Sequence, residues 1–208
     1  PGVCRIIFPL SRLLVDVERF REDRFEPMAA VGMGSIYTKT SHGEHLRRGL
    51  SADERNLLLS EYYDNHHNLL EQAVEEELER RSFALIVDCH SFPNRPLPCD
   101  QDQSEPRPDF CIGVDDYHTP ALLEDLAVRI IAKAGCSVAV NRPYRGSMVP
   151  ASKHRKDIRV RSIMIEVNRN MYIDEQTACK THGFAKIRDL IRGLLRELSR
   201  WAIENDRA

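Results

Sequence analysis

The run Phe83-Ala84-Leu85-Ile86-Val87, which passes directly into Asp88-Cys89-His90-Ser91-Phe92-Pro93, constrains this chain more than any other segment. Its β-branched and aromatic content, closed by Pro93 and Asn94, is that of an interior strand in an α/β sheet. Such sheets place ligands just beyond the carboxyl ends of their strands, where Asp88, His90 and Ser91 fall. A second run, Ser162-Ile163-Met164-Ile165-Glu166-Val167-Asn168-Arg169, repeats the arrangement with a carboxylate and a guanidinium at its end. The pair suggests His90 as a metal ligand and Glu166 as a general base.

At 208 residues the chain is long enough for one sizeable core, and no composition shift divides it, so a single domain over 1–208 is expected. A net charge of -2 spread over 30% charged residues favours neither nucleic acid nor a membrane surface as partner, which leaves a small molecule. No apolar run has bilayer-spanning length and no signal-peptide pattern opens the chain, so a cytoplasmic location is expected. Cys4, Cys89, Cys99, Cys111, Cys136 and Cys179 include no C-x-x-C pair, which argues against a thiolate zinc site and a disulfide frame. The chain begins at Pro1 without an initiator Met and enters an apolar segment, from which an absent N-terminal portion is expected.

In chain order, Leu13–Val17 reads as a strand, and Arg21–Gly49, with breakers at Gly32, Gly34 and Gly43, as an irregular excursion. Ser51-Ala52-Asp53-Glu54 is a capping box, and a long helix follows to Arg81 with Leu58, Tyr62, Leu69, Ala73 and Leu78 on one stripe. Phe92–Pro108 holds five prolines and must be a loop. Phe110–Val114 is the next strand; Thr119 and Pro120 open a helix as N-cap and first residue, closing at Gly135, and Cys136–Val140 is a strand ending at Asn141. A turn-forming loop Asn141–Ser147 and a basic stretch Lys153–Arg161 lead into the Glu166 strand, and a helical pattern over Asp174–Trp201, interrupted near Gly183, closes the chain.

Each reactive candidate has a plainer reading. His90 is a zinc ligand or a hydrogen-bonded structural histidine, and no local H-x-x-H or H-E-x-x-H motif supplies a partner. Glu166 is a base that activates water, or one half of a salt bridge to Arg169 or an upstream arginine. Arg19, Arg142, Arg145 and Arg169 lie at or just past strand ends, where guanidinium forks recognise carboxylates; singly each reads as a solvated cation, and together they favour an anionic small substrate. Ser91 lacks a G-x-S-x-G elbow, and Cys89 faces away from His90 on a regular strand, so a serine or cysteine hydrolase is the weaker reading.

Five separated segments together carry a resemblance: Leu10 to Phe20; Asp88-Cys89-His90-Ser91-Phe92-Pro93; Ile112-Gly113 with His118-Thr119-Pro120; Asn141-Arg142-Pro143-Tyr144-Arg145-Gly146; and Ile165-Glu166-Val167-Asn168-Arg169 with Tyr172. In this order they resemble the motifs of the N-formylglutamate amidohydrolase family. The resemblance implies an α/β/α three-layer sandwich around a mixed sheet, related to the zinc carboxypeptidases. It also implies hydrolysis of an N-acyl amino acid amide, most directly N-formyl-L-glutamate, through water activated by zinc or another divalent metal. His90 resembles a zinc-binding histidine and Glu166 the catalytic glutamate. Arg145 stands beside Glu166 as a catalytic candidate, and Arg19, His118, Asn141, Arg142 and Arg169 form the substrate-binding set. Tyr63 and His67 resemble the family's Tyr-x-Pro-Tyr-His helix element, with Asn65 and His66 replacing its proline and second tyrosine. The family's opening Pro-His-Ser-Gly segment has no counterpart, so the remaining metal ligands are expected upstream of Pro1. The competing class is a non-catalytic binding protein for an acidic metabolite on the same fold.

Overall fold

The computed structural model describes residues 3–206; Pro1, on which the expectation of a truncated start rests, lies outside them. The described chain gathers into two compact units, one running to Glu76 and including Leu97–Asp100, the other comprising Glu77–Pro96 and the chain from Gln101 onward.

The first unit is built around Val15, Val17, Ile36, Leu59 and Tyr63. Here Leu13–Val17 is not the expected strand. Leu14 N–H closes a turn on the Ser11 carbonyl (2.9 Å), and Asp16 N–H makes a single bond to the Ser35 carbonyl (2.8 Å). Side chains hold the segment in place of a ladder: the buried Asp16 carboxylate accepts from Tyr37 Oη (2.5 Å) and from Glu18 N–H (3.0 Å) and pairs with Arg12 (3.1 Å). Burial and the neighbouring Asp16 charge together push the Tyr37 phenol up to about 12, so it stays a donor.

Ser51 caps α1 (Ala52–Leu58) with the expected box, its hydroxyl accepting from Glu54 N–H while the Glu54 carboxylate takes Ser51 N–H. A π turn at Leu59–Tyr63 joins α1 to α2 (Asp64–Arg80). The buried stripe is Leu59, Tyr63, Leu70 and Val74, one residue along from the expected one, and Leu69 is 58% exposed. Adjacent apolar doublets at 58–59, 62–63, 69–70 and 73–74 leave two possible phases, and tertiary packing selects one.

The second unit contains a four-stranded mixed sheet in the order β1-β4-β2-β3, with β1 Ala84–Phe92, β2 Phe110–Gly113, β3 Val138–Val140 and β4 Val160–Asn168. β1 and β4 are parallel, β4 and β2 antiparallel, and β2 and β3 parallel. Two helices, α3 (Ala121–Lys133) and α4 (Phe184–Asn205), pack their apolar stripes onto one face. Leu123, Ala127 and Ile131 come from α3 and Ile187, Leu194 and Leu198 from α4, against Phe110, Ile112, Ile163, Ile165 and Val167 of the sheet. Each fully buried Leu or Ile contributes about 1.5–3 kcal/mol, so this layer dominates the stability of the unit. The mixed α/β architecture expected from the sequence is present.

Two boundaries move. Thr119 does not cap α3; Pro120 holds that position, and Thr119 Oγ1 instead donates to the Ser162 carbonyl (2.7 Å) while accepting from Asp115 N–H (2.9 Å). The last helix begins at Phe184 and not at Asp174: Asp174 Oδ1 accepts from Gln176 N–H (3.0 Å) and Thr177 N–H (2.8 Å) in a turn, Ile173 and Lys180 form an isolated bridge, and Gly183, where a Cβ would lie 2.1 Å from the Met171 carbonyl oxygen, is the N-cap. Among the described residues no helix is long and apolar enough to cross a membrane.

Candidate active site

Strand alternation divides the sheet residues chemically. Leu85, Val87, Ile163, Ile165, Val167, Phe110 and Ile112 face the α3–α4 layer. The opposite face therefore receives Asp88, His90 and Phe92 from β1, Met164, Glu166 and Asn168 from β4, and Cys111 and Gly113 from β2. The register is direct: His90 is the partner of Glu166 on β4, and Glu166 is in turn the partner of Cys111 on β2. One row across three strands thus carries an imidazole, a carboxylate and a thiol, near the carboxyl ends of the parallel pair.

His90 Nε2 lies 2.7 Å from Asp88 Oδ1, two residues away on the same face. A carboxylate accepting from Nε2–H leaves the lone pair of the neutral ring on Nδ1. Glu166 is buried. Cys111 is fully buried, and its Sγ donates to the Tyr144 carbonyl at 3.1 Å; burial first, and the nearby Glu166 charge in addition, push the thiol up to about 11. It is a packed donor rather than a nucleophile. Cys89 lies on the opposite side of the strand from His90, as expected.

Arg169 follows β4 and binds Ser91 twice, through Nε to the hydroxyl (3.3 Å) and Nη2 to the carbonyl (3.2 Å), and it approaches Glu175 at 4.0 Å. Asn168 Nδ2 ties both ends of the proline-rich loop together, donating to Asn94 Oδ1 (3.1 Å) and to the Pro108 carbonyl (3.2 Å). Arg142 pairs with Asp102 (3.6 Å) and keeps half its side-chain surface; Arg145 is exposed. Arg169 therefore opens a 3-10 turn (Arg169–Met171) directly after β4, Arg142 and Arg145 lie in the loop that follows β3, and Arg19 belongs to the first unit. There its Nε lies 3.4 Å from Asp16 and its Nη1 3.9 Å from Glu26.

Two members of the expected substrate-binding set have structural roles. His118 is buried, with Nδ1 on the Val160 carbonyl (2.7 Å) and Nε2 accepting from Arg155 N–H (2.8 Å). Both ring nitrogens are spent on the backbone, so His118 is a bridge inside the fold and not a substrate contact. Asn141 uses Oδ1 to accept from Val114 N–H (2.9 Å) and Gly146 N–H (3.3 Å). Tyr63 and His67 also act on backbone, holding the segment before the first excursion: His67 Nε2 bonds the Val17 carbonyl (2.9 Å) and Tyr63 Oη the Arg19 carbonyl (2.7 Å), with Arg21 chelated by Asp64 between them.

No local motif in the residue order marks Arg107. It is buried in the proline-rich loop, donates to Tyr144 Oη (3.0 Å), and stands over the Phe92 and Tyr144 rings. Asp115 is a second residue outside the expected set; burial raises its carboxyl, but backbone N–H bonds from Tyr117 and His118 outweigh it and hold the group below the usual range. Its signal was the Asp-x-x-His-Thr turn before a helix.

Comparison with known proteins bears on this arrangement. A family model described as N-formylglutamate amidohydrolase matches residues 1–173. Among solved structures, the fold is similar to the crystal structure of N-formylglutamate amidohydrolase from Ralstonia eutropha JMP134, with a TM-score of 0.77 and 27% identity over 91% of this chain and 74% of that one. It also resembles the gene product Atu2144 from Agrobacterium tumefaciens, with a TM-score of 0.65 over 94% of this chain and 70% of that one; at 19% identity this is a likeness of fold alone. No curated protein matches the chain.

Proposed function

Because the chain belongs to the N-formylglutamate amidohydrolase family, and is on that ground an amidohydrolase, we propose that it cleaves the amide bond of an N-acyl amino acid, N-formyl-L-glutamate first among them, to formate and glutamate. Residues 1–208, with both compact units, then form one amidohydrolase domain. The observation that carries it is the shared row of His90 and Glu166 on one sheet face, with Asp88 against the imidazole.

The donor chemistry fits a divalent metal such as zinc. A neutral imidazole oriented by a carboxylate is the arrangement that zinc ligands adopt, and Asp88 Oδ1, 2.7 Å from His90 Nε2, would favour that tautomer. We assign His90 as the ligand and Asp88 as the carboxylate that orients it. When bound, the metal would polarise the scissile carbonyl and lower the pKa of water. Glu166 takes a proton from the attacking water at its carboxylate and returns it to the leaving amine. Its burial keeps competing solvent away from that exchange. Arg142 and Arg145, in the loop after β3, and Arg169, in the 3-10 turn after β4, supply forks for the substrate carboxylate or the developing oxyanion.

Hydrolysis of N-formyl-L-glutamate by the purified protein, with bound metal measured in parallel on the wild type and on His90→Ala, tests the reading. Turnover with metal that His90→Ala removes supports it. Glutamate binding without turnover or metal overturns it in favour of a binding protein.

A further inference from the structure

The loop Asn141–Ser147 carries two of the three arginines assigned to substrate in the second unit, and it is seated on the sheet at alternate points. Asn141 N–H donates to the Ile112 carbonyl at 2.8 Å, and Asn141 Oδ1 receives Val114 N–H (2.9 Å) from the sheet side and Gly146 N–H (3.3 Å) from the far end of the loop. One side-chain oxygen therefore closes the loop on itself and on the strand. Tyr144 is fixed by its carbonyl to the Cys111 thiol, by its hydroxyl to Arg107, and by its ring edge against Phe92 at 5.8 Å. The Gly146 carbonyl rests on Gly113 so closely that a Cβ there would lie 2.2 Å from its oxygen. Between these anchors at 141, 144 and 146, Arg142 and Arg145 are the exposed residues.

The backbone of Asn141 has φ +53°, a left-handed conformation that Asn tolerates and most side chains do not. The position thus demands both a residue at home with positive φ and an acceptor reaching two N–H groups. Gly meets the first demand without the second; Asp meets both.

We propose that Asn141 is a positioning residue: it does not touch substrate, and it fixes where Arg142 and Arg145 stand when the substrate carboxylate arrives. This inference rests on the substrate reading given above. Charge-assisted forks are effective only when held in place, so freeing the loop should weaken binding more than chemistry.

The test uses the wild type, Asn141→Gly and Asn141→Asp. Two quantities are read: KM and kcat for N-formyl-L-glutamate, and hydrogen exchange at the Val114 and Gly146 amides. We expect Asn141→Gly to raise KM about tenfold with a much smaller change in kcat, a loss of the size of one or two hydrogen bonds. Exchange at both amides should quicken, and Asn141→Asp should bring both quantities back toward the wild type. Unchanged exchange in Asn141→Gly, or faster exchange with unchanged KM, would overturn the positioning role. An equal rise in KM for both variants with unchanged exchange would overturn it too, by showing that the Asn141 amide meets substrate directly. A wild type without turnover strikes the substrate reading separately, and the exchange measurement still decides whether Asn141 holds the loop.

Discussion

His90 and Glu166 are register partners on neighbouring parallel strands, so both side chains leave the sheet on the same face. Adjacent strands lie about 4.8 Å apart, which brings an imidazole and a carboxylate from distant parts of the sequence to one place. The row continues to Cys111, whose thiol is engaged by the Tyr144 carbonyl. The row thus holds one imidazole, one carboxylate and a thiol that stays protonated.

Glu166→Gln keeps the shape and burial of the side chain but removes its ability to accept and return a proton. Turnover of N-formyl-L-glutamate should fall by about 10²–10⁴ with metal content and thermal midpoint preserved. Steady-state kinetics beside elemental analysis check this, and unchanged turnover would remove Glu166 from the chemistry.

Asp88→Asn replaces the charged acceptor on His90 Nε2 with a neutral amide. Loss of such an orienting carboxylate should weaken metal affinity about 10–100-fold. A competition titration against a zinc chelator measures it; equal affinity in the two proteins would show that Asp88 does not tune His90.

Gly113→Ala should destabilise the fold by about 1–3 kcal/mol. The new Cβ would lie 2.2 Å from the Gly146 carbonyl oxygen and 2.4 Å from Met164 Cε, and only the methionine is free to yield. Chemical denaturation gives the number, and a cost near zero would mean that the 141–147 loop lifts without resistance.

Stability should decline as the solution is acidified through the histidine range. Burial holds His67 below its ordinary value of 6.5, with the Val17 carbonyl only partly offsetting it, and burial acts on His154 in the same direction. A histidine depressed in the folded state binds its proton first in the unfolded chain. The penalty is therefore absent above about pH 6.5 and grows as pH falls to the depressed folded value. His67→Gln keeps a donor for the Val17 carbonyl and removes the titration, so its thermal midpoint should vary less between pH 7.5 and pH 5 when the two proteins are melted side by side. Parallel curves would exclude His67 as a source of the dependence.

The helix start at Ser51, the strands that carry His90 and Glu166 near their carboxyl ends, and the irregular proline-rich loop were legible from residue order; that β1 is an edge strand of the described sheet and that the stretch from Asp174 to Gly183 is not helical were not. Capping, apolar runs and backbone restriction act over a few residues, and short-range causes leave short-range marks. What only the tertiary structure decided depends on partners far away in the chain. Leu13–Val17 had the composition of a strand but, among the described residues, no ladder partner, so Asp16 and Tyr37 hold it instead. Doublets such as Leu58-Leu59 and Leu69-Leu70 suited either helix phase until packing buried Leu59 and Leu70. His118 and Asn141 had the chemistry of substrate contacts, yet both ring nitrogens of His118 and the side-chain oxygen of Asn141 are engaged by backbone groups that folding delivers to them. The sequence by itself determined that a histidine and a glutamate would stand near the carboxyl ends of two strands; only the pairing of β1 with β4, a long-range choice among registers, decided that they are neighbours on one face.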